Sequence, residues 1–311
     1  MRHLFCIAIC ATALSTTVMA QSSTATLSDS TVKSTESNTA TLKELIPTKS
    51  EENIEITDAK IKADAGSLSK YSLKFNLSYY GPTFGDVSAK DQPNPDGSIG
   101  TYETSIGGSL GGRYRFDKKT TLSVGGGLKL IHPFHGMDRT DLNNPYISYD
   151  MTNYMSGIQM RNSFGASVIT VPNYTAVGEY AGLSYDASFT YNIGYSGYAI
   201  GIDSSVGYYL YNRGYITSDK KASRAAVAVF PTLKYNFSDT LSINTSTSIS
   251  FWNPRQLRDE FALLNKTVSQ RLGLGYAYTR DIYLAPYINF YPDRLSLDRT
   301  TINFSTSFSV L

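Results

Sequence analysis

The chain is short of thiols, and this shortage excludes several kinds of protein. Its two cysteines, Cys6 and Cys10, both fall within the first 20 residues. That segment has a basic start at Arg2 and an apolar run from Leu4 to Leu14, which predicts a secretory signal peptide over residues 1–20, cleaved after Ala20. We therefore expect an exported chain with no thiol left for a disulfide, a zinc site or a nucleophile.

The chain also lacks long apolar runs and has few charges. No run of about 18 apolar residues occurs, which excludes a membrane protein built from helices. Charged residues make up only 17% of the sequence, against 24 tyrosines, 14 phenylalanines and 24 glycines. A net charge of +2 gives no reason to expect a nucleic-acid partner. This composition suits a transmembrane β-barrel, in which aromatic side chains form girdles at the membrane interfaces.

Residues 21–68 differ in kind from the rest of the chain. They are rich in Ser, Thr, Glu and Lys and contain no aromatic residue before Tyr71. Such a segment buries too little apolar surface to offset its chain entropy, so it predicts a flexible periplasmic leader. Two short patches, Leu42 to Ile46 and Ile54 to Ile61, leave open the alternative of a turn of helix or a plug in the barrel mouth.

Residues 69–311 show the alternation of a half-buried strand again and again, and predict the barrel itself. We count twelve strands of an all-β, antiparallel up-and-down barrel, with ten or fourteen as alternatives. Short turns near Asp117, Gly194, Ser238 and Thr279 alternate with longer loops, as in barrels whose turns face the periplasm. The count is even only if a doubtful fourth strand exists around Ile147, Tyr149 and Met151.

The last stretch, TTINFSTSFSVL from Thr300 to Leu311, has apolar residues on one face and Asn and Ser on the other. It resembles the C-terminal insertion signal of Gram-negative outer-membrane β-barrels, although that signal usually ends on an aromatic residue. The whole pattern is similar to porin-like major outer-membrane proteins. The resemblance implies an outer-membrane location, contact with lipid and lipopolysaccharide, and recognition of the last strand by the barrel assembly machinery.

Two prolines, Pro231 and Pro286, fall inside predicted strands. Each removes a ladder hydrogen bond, so we expect bulges or strand ends there. A soluble β-sandwich has strands at the same spacing, but its second face would carry more Lys and Glu than this one does.

Few residues are suited to catalysis or metal binding. His132 and His135 lie in one loop with no third metal ligand nearby, and the nearby Asp138, Asp141 and Asp150 match solvated turn residues. Outer-membrane phospholipases place a His and a Ser two apart on one strand, and that motif is absent here. The prediction is therefore no enzyme, no metal and no cofactor, with an outer-membrane hydrolase as the third hypothesis.

The residues opposite in parity to the apolar ones predict the face that lines the lumen. Seven basic and three acidic residues on this face leave an excess of four positive charges: Lys74, Arg113, Arg115, Lys129, Arg161, Lys234 and Arg271 against Glu103, Asp186 and Asp203. Charges in a pore wall concentrate the opposite ion. The first hypothesis is a porin-like channel for passive diffusion of small polar solutes or ions, with a weak preference for anions. The second is a structural or surface-recognition barrel with a closed lumen.

Overall fold

The structure is a computed structural model, and it describes residues 56–93, 101–212, 222–254 and 262–310. The predicted signal peptide and most of the predicted leader lie outside these residues. No helix among the described residues is long and apolar enough to cross a membrane.

The described chain is almost entirely β-structure. Its fifteen strands are β1 (Tyr71–Thr83), β2 (Asp91–Pro93), β3 (Thr101–Glu103), β4 (Ser105–Arg115), β5 (Thr120–Ile131), β6 (Arg139–Met155), β7 (Ile158–Val168), β8 (Glu179–Asn192), β9 (Tyr198–Tyr211), β10 (Ser223–Asn236), β11 (Leu241–Pro254), β12 (Leu264–Asn265), β13 (Ser269–Thr279), β14 (Ile282–Phe290) and β15 (Thr301–Val310). Two α-helices, α1 (Ala59–Ala65) and α2 (Pro172–Thr175), and two short 3₁₀ turns complete it.

Twelve of these strands form one closed antiparallel wall. Each of the twelve pairs with its neighbour in the chain, and the sheet closes where β1 pairs with β15. At that seam Phe75 stacks on Phe308, with ring centroids 4.8 Å apart. The short strands β2 and β3 form a separate hairpin, and β12 adds two residues beside β11. A closed wall leaves no unpaired edge, and the predicted count of twelve strands is confirmed.

The outer surface of the wall is apolar. Leu110, Val124, Phe164, Leu183 and Leu274 are all exposed there. Aromatic side chains gather on this surface at the end that carries the short turns, and all of them are exposed: Tyr71, Phe116, Tyr191, Tyr198, Phe237 and Tyr278. An apolar band with an aromatic rim is the surface that lipid requires.

The two ends of the barrel differ as the sequence predicts. Short turns join β4 to β5, β6 to β7, β8 to β9, β10 to β11 and β13 to β14. At the β6–β7 turn, Ser156 and Gly157 have φ values of 51° and 86°. Both values lie in the left-handed region that a two-residue hairpin turn of this kind needs. The first strand starts and the last strand ends at this same end, which is the periplasmic end in barrels of this type.

The doubtful fourth strand is the longest among the described strands. β6 runs over 17 residues from Arg139, so the loop that contains His132 and His135 ends at Asp138. Two residues of β6, Asn144 and Pro145, face one residue of β5, so a bulge takes up the proline within the strand.

Two other predictions were wrong. The alternation predicts Tyr102 and Thr104 on the outer face of the second strand, and it predicts bulges or strand ends at Pro231 and Pro286. Tyr102 belongs to the separate hairpin and Thr104 is fully buried, so neither lies on the outer face of the wall. Pro231 and Pro286 cause neither a bulge nor a strand end, since the register is the same on both sides of each. Pro231 pairs with Ile202 and Pro286 with Phe304, so each ring is accommodated by local loss of pairing on one side only.

Candidate functional site

A short helix, α1, contacts the inner face of the barrel wall. The Oδ1 of Asp58 accepts a hydrogen bond from the Ile61 backbone N–H at 2.9 Å, which caps the first turn. Gly66 ends the helix with a φ of 70°, a conformation that favours glycine. Ile61 and Ala63 are buried. The flexible-leader prediction therefore does not hold for residues 56–68, and the plug alternative describes them.

The start of α1 is fixed to two strands of the wall. The backbone N–H groups of Thr57 and Asp58 both donate to Oε1 of Gln159 at 2.7 Å, and the Gln159 amide donates back to the Thr57 hydroxyl. The Nζ of Lys234 lies 2.8 Å from Oδ2 of Asp58, and the two side chains are 11% and 6% exposed. Gln159 and Lys234 thus bind the segment from β7 and β10 with little access to water.

The middle and end of α1 bind other parts of the wall. Lys60 forms an ion pair with Asp203 on β9, and Lys74 on β1 donates to the carbonyl oxygen of Asp64. Arg115 on β4 donates to the backbone carbonyls of residues 65, 66 and 67. The apolar side of the helix packs where Ala63 meets Ala277 and Tyr283. The helix therefore spans the lumen from one side to the other.

Two cavities lie on either side of the start of α1. The larger, of about 430 Å³, is lined by α1 and by inward residues of β7 to β15. The smaller, of about 340 Å³, is lined by Thr57 and by residues of the short turns around Gly194 and Asp239. Both are lined by Asp58 and Lys234, so this ion pair forms part of the partition between them.

Nine of the ten residues predicted for the lumen fall into three groups, and Arg113 stands apart. The first group contacts residues 57–67 and consists of Lys74, Arg115 and Lys234. The second group lines the larger cavity and consists of Arg161, Asp186, Asp203 and Arg271. Glu103 and Lys129 lie together near the long loops, where their charged atoms are 3.9 Å apart. Arg113 is buried, and a side-chain atom added to Gly66 would overlap its guanidinium group.

Sequence reasoning missed several charged and polar partners in the lumen. Asp58, Lys60 and Asp64 belong to the leader, and Gln159 is uncharged. The interpretation of Asp141 and Asp150 as solvated loop residues was wrong, since both lie on β6 and Asp150 forms a buried ion pair with Arg161. The parity of Ile147 and Tyr149 would have found Asp150, because residues at odd numbers in this part of β6 face outward.

These additions change the charge of the lumen. Four side chains outside the predicted set form ion pairs with it, namely the carboxylates of Asp58, Asp64 and Asp150 and the ammonium group of Lys60. Counting these partners lowers the positive excess of the set from four to two. Most of the basic side chains are also paired. The anion preference expected from sequence is therefore weakened by neighbours that the strand pattern did not include.

His132 organises the loop between β5 and β6. Its Nδ1 lies 2.6 Å from Oδ2 of Asp138 and its Nε2 lies 3.3 Å from Oδ1 of Asp91. The hydrogen bond with Asp138 raises the pKa of His132, and the same hydrogen bond lowers the pKa of Asp138. The three side chains tie this loop to the separate β2–β3 hairpin. Within the described residues, no group of three or more His, Cys, Asp or Glu side chains is arranged to hold a metal ion.

A closed wall, an apolar outside and a polar inside define the class of protein. Backbone groups in lipid need internal hydrogen bonds, and a barrel without edges supplies them for every strand. The chain is a multi-pass β-barrel protein of the outer membrane.

Comparison with known proteins extends this description only at the level of fold. No protein-family model matches the sequence, and no curated protein matches it. A solved structure of the COG4313 outer membrane channel from Pseudomonas putida F1 is similar, with a TM-score of 0.49 and 10% identity over 79% of this chain and 98% of that one. The NanC porin has a TM-score of 0.43 and 9% identity over 76% and 98% of the two chains. The KdgM porin in complex with disordered oligogalacturonate has a TM-score of 0.41 and 8% identity over 77% and 99%.

Proposed function

We propose that the protein is a porin-like channel through which small polar solutes or ions diffuse passively. The observation that carries this proposal is the pair of cavities, about 430 and 340 Å³ in volume, that meet at the Asp58–Lys234 ion pair. The partition between them belongs to a segment whose helix has only seven residues. Helices this short are not stable alone, so its position depends on its contacts with the wall.

The lining of the larger cavity suits passage of polar solutes. Ser188, Thr190, Asn244, Ser246 and Ser305 contribute small hydroxyl and amide groups. Such side chains offer weak and repeated hydrogen bonds, which allow a solute to enter and also to leave. We further propose a weak anion preference, carried mainly by Arg271, which has no ion-pair partner among the described residues.

The test is single-channel conductance of the purified mature protein in a planar bilayer, with a salt gradient to give the reversal potential. We expect stable conductance steps and a small anion bias, and Arg271→Glu should shift the bias toward cations. Arg294→Glu is the matched control, because Arg294 lies in an exposed 3₁₀ turn outside the lumen. An absence of conductance from protein that is folded by heat-modifiable gel mobility would refute the channel.

The second candidate is a closed barrel that acts in recognition at the cell surface. The position of α1 across the lumen favours it. In this case the folded protein conducts nothing, and loosening α1 by substitution does not create a conductance.

A further inference from the structure

The larger cavity contains two charged side chains of opposite sign that form no ion pair within the described residues. Among the described residues, eight charged side chains line the cavity. Six of them form ion pairs: Lys60 with Asp203, Asp64 with Lys74, Arg161 with Asp150, and Asp58 with Lys234. The two that remain are Arg271 on β13 and Asp186 on β8. Within the described part of the chain, neither forms a side-chain hydrogen bond or an ion pair, although the charge of Asp186 acts on Arg161.

The guanidinium group of Arg271 is positioned by two aromatic side chains. Its Cζ lies 5.8 Å from the ring centroid of Phe230 and 5.3 Å from that of Tyr287, so aromatic rings fix the guanidinium group in place. Its Nε is buried without an acceptor among the described residues. A guanidinium group is planar and presents parallel N–H donors, which match the two oxygens of a carboxylate. Arg271 is therefore suited to a ligand carboxylate.

Asp186 carries the opposite charge and lies on another part of the same cavity. A carboxylate accepts hydrogen bonds from an ammonium group. Three strands, β9, β10 and β11, separate β8 from β13 along the wall. The pairing register places Arg271 level with Thr190, four residues from Asp186 along β8. With a strand spacing of about 4.8 Å and a rise of about 3.3 Å per residue, the two backbones lie about 19 Å apart across the strands and about 13 Å apart along them. Both side chains line the cavity.

We propose that this cavity binds small zwitterions whose opposite charges lie at opposite ends, as in a peptide of a few residues. The carboxylate binds Arg271 and the ammonium group binds Asp186. An extended peptide covers about 3.4 Å per residue, so three residues suit the gap between the two side chains better than a single amino acid does. This inference rests on the proposed channel function and names its class of solute.

The test measures binding and not passage, so that failure of the inference is separate from failure of the channel. Labelled triglycine is equilibrated by dialysis against the folded mature protein in detergent micelles at neutral pH. N-acetyltriglycine lacks the ammonium group and triglycinamide lacks the carboxylate. We expect triglycine to bind about tenfold or more tightly than either analogue, the effect of one charge-assisted hydrogen bond.

Two substitutions assign the two ends of the ligand. Arg271→Gln should weaken binding of triglycine about tenfold and leave the affinity for triglycinamide unchanged. Asp186→Asn should weaken triglycine by a similar factor and leave N-acetyltriglycine unchanged. Arg294→Gln and Asp293→Asn are the matched controls, since both residues are half-exposed outside the cavity. Equal binding of triglycine and an analogue, no binding at all, or insensitivity to both cavity substitutions would overturn the proposal, whether or not the protein conducts.

Discussion

Replacing Asp58 with Asn should release α1 from the wall far more than replacing Asp203 with Asn. Each substitution removes one ion pair between the helix and the barrel. The Asp203 pair is the shorter, at 2.6 Å against 2.8 Å, but its side chains are 33% and 47% exposed. The side chains of Asp58 and Lys234 are 6% and 11% exposed. Burial, and not distance, should decide the result.

The magnitudes follow from that burial. Removing one partner of a buried ion pair costs about 3 kcal/mol at the lower end of the usual range, which corresponds to about a 150-fold shift toward released helix. We take the lower end because the cavities on both sides can hydrate Lys234 once the helix moves. An exposed pair contributes at most about 1 kcal/mol, or about fivefold. Asn caps a helix as well as Asp does, so Asp58→Asn leaves the first turn intact.

Hydrogen exchange followed by mass spectrometry is the assay. The N–H of Lys62 donates to the Asp58 carbonyl and that of Gly66 to the Lys62 carbonyl, so both report on the helix. Protection at these amides should fall strongly in Asp58→Asn and slightly in Asp203→Asn, with the strands unchanged. An equal fall in both variants, or a larger one in Asp203→Asn, would refute the reasoning from burial.

Three further outcomes are expected. The double substitution Ala63→Cys and Ala277→Cys places two thiols in contact, in a mature chain that is otherwise expected to lack cysteine. Oxidation of these thiols should lower channel opening until a reductant restores it. The hydrogen bond with Asp138 raises the pKa of His132. Its contribution to stability is therefore complete below pH 6.5 and is lost as the pH rises through the raised pKa of His132. The protection factors of amides in the His132 loop, which are corrected for the intrinsic rise of the exchange rate with pH, should therefore fall as the pH rises. Asp138→Asn should weaken that fall and leave the smaller part due to Asp91. Gly66→Ala should destabilise α1, measured by the same exchange assay, because its φ is 70° and the added methyl group overlaps a neighbouring guanidinium.

The barrel could be predicted from sequence because period-two patterning is a local property. Tyr71, Leu73 and Phe75 alternate with Ser72 and Lys74 whatever the rest of the chain does, and the lipid outside requires the alternation to persist. The bulge at Pro145 could not be predicted, because Pro145 lies outside the predicted strands, whereas Pro231 and Pro286 lie inside them. Only the pairing of both neighbouring strands decides which proline shifts the register.

The lumen was less predictable for a related reason. Parity predicts which side chains face inward but not which of them meet. The ion pair between Asp58 and Lys234 joins residues 176 positions apart, and no local pattern encodes it. The residues of α1 other than Ile61 are alanine or charged, and its charged side chains meet polar partners on the wall. The composition that predicts a flexible leader is therefore also the composition that a lumen segment needs.

The seam between β1 and β15 constrains how the molecule can fold. Leu73 pairs with Val310, so the first strand finds its second neighbour only when the end of the chain is available. Contacts this distant in sequence form slowly, because the loop-closure entropy must be overcome before they form. α1 precedes β1, yet it contacts β13, β14 and β15. We therefore expect the binding surface of α1 to be complete only once these last strands have paired, so that docking of the helix accompanies closure of the wall.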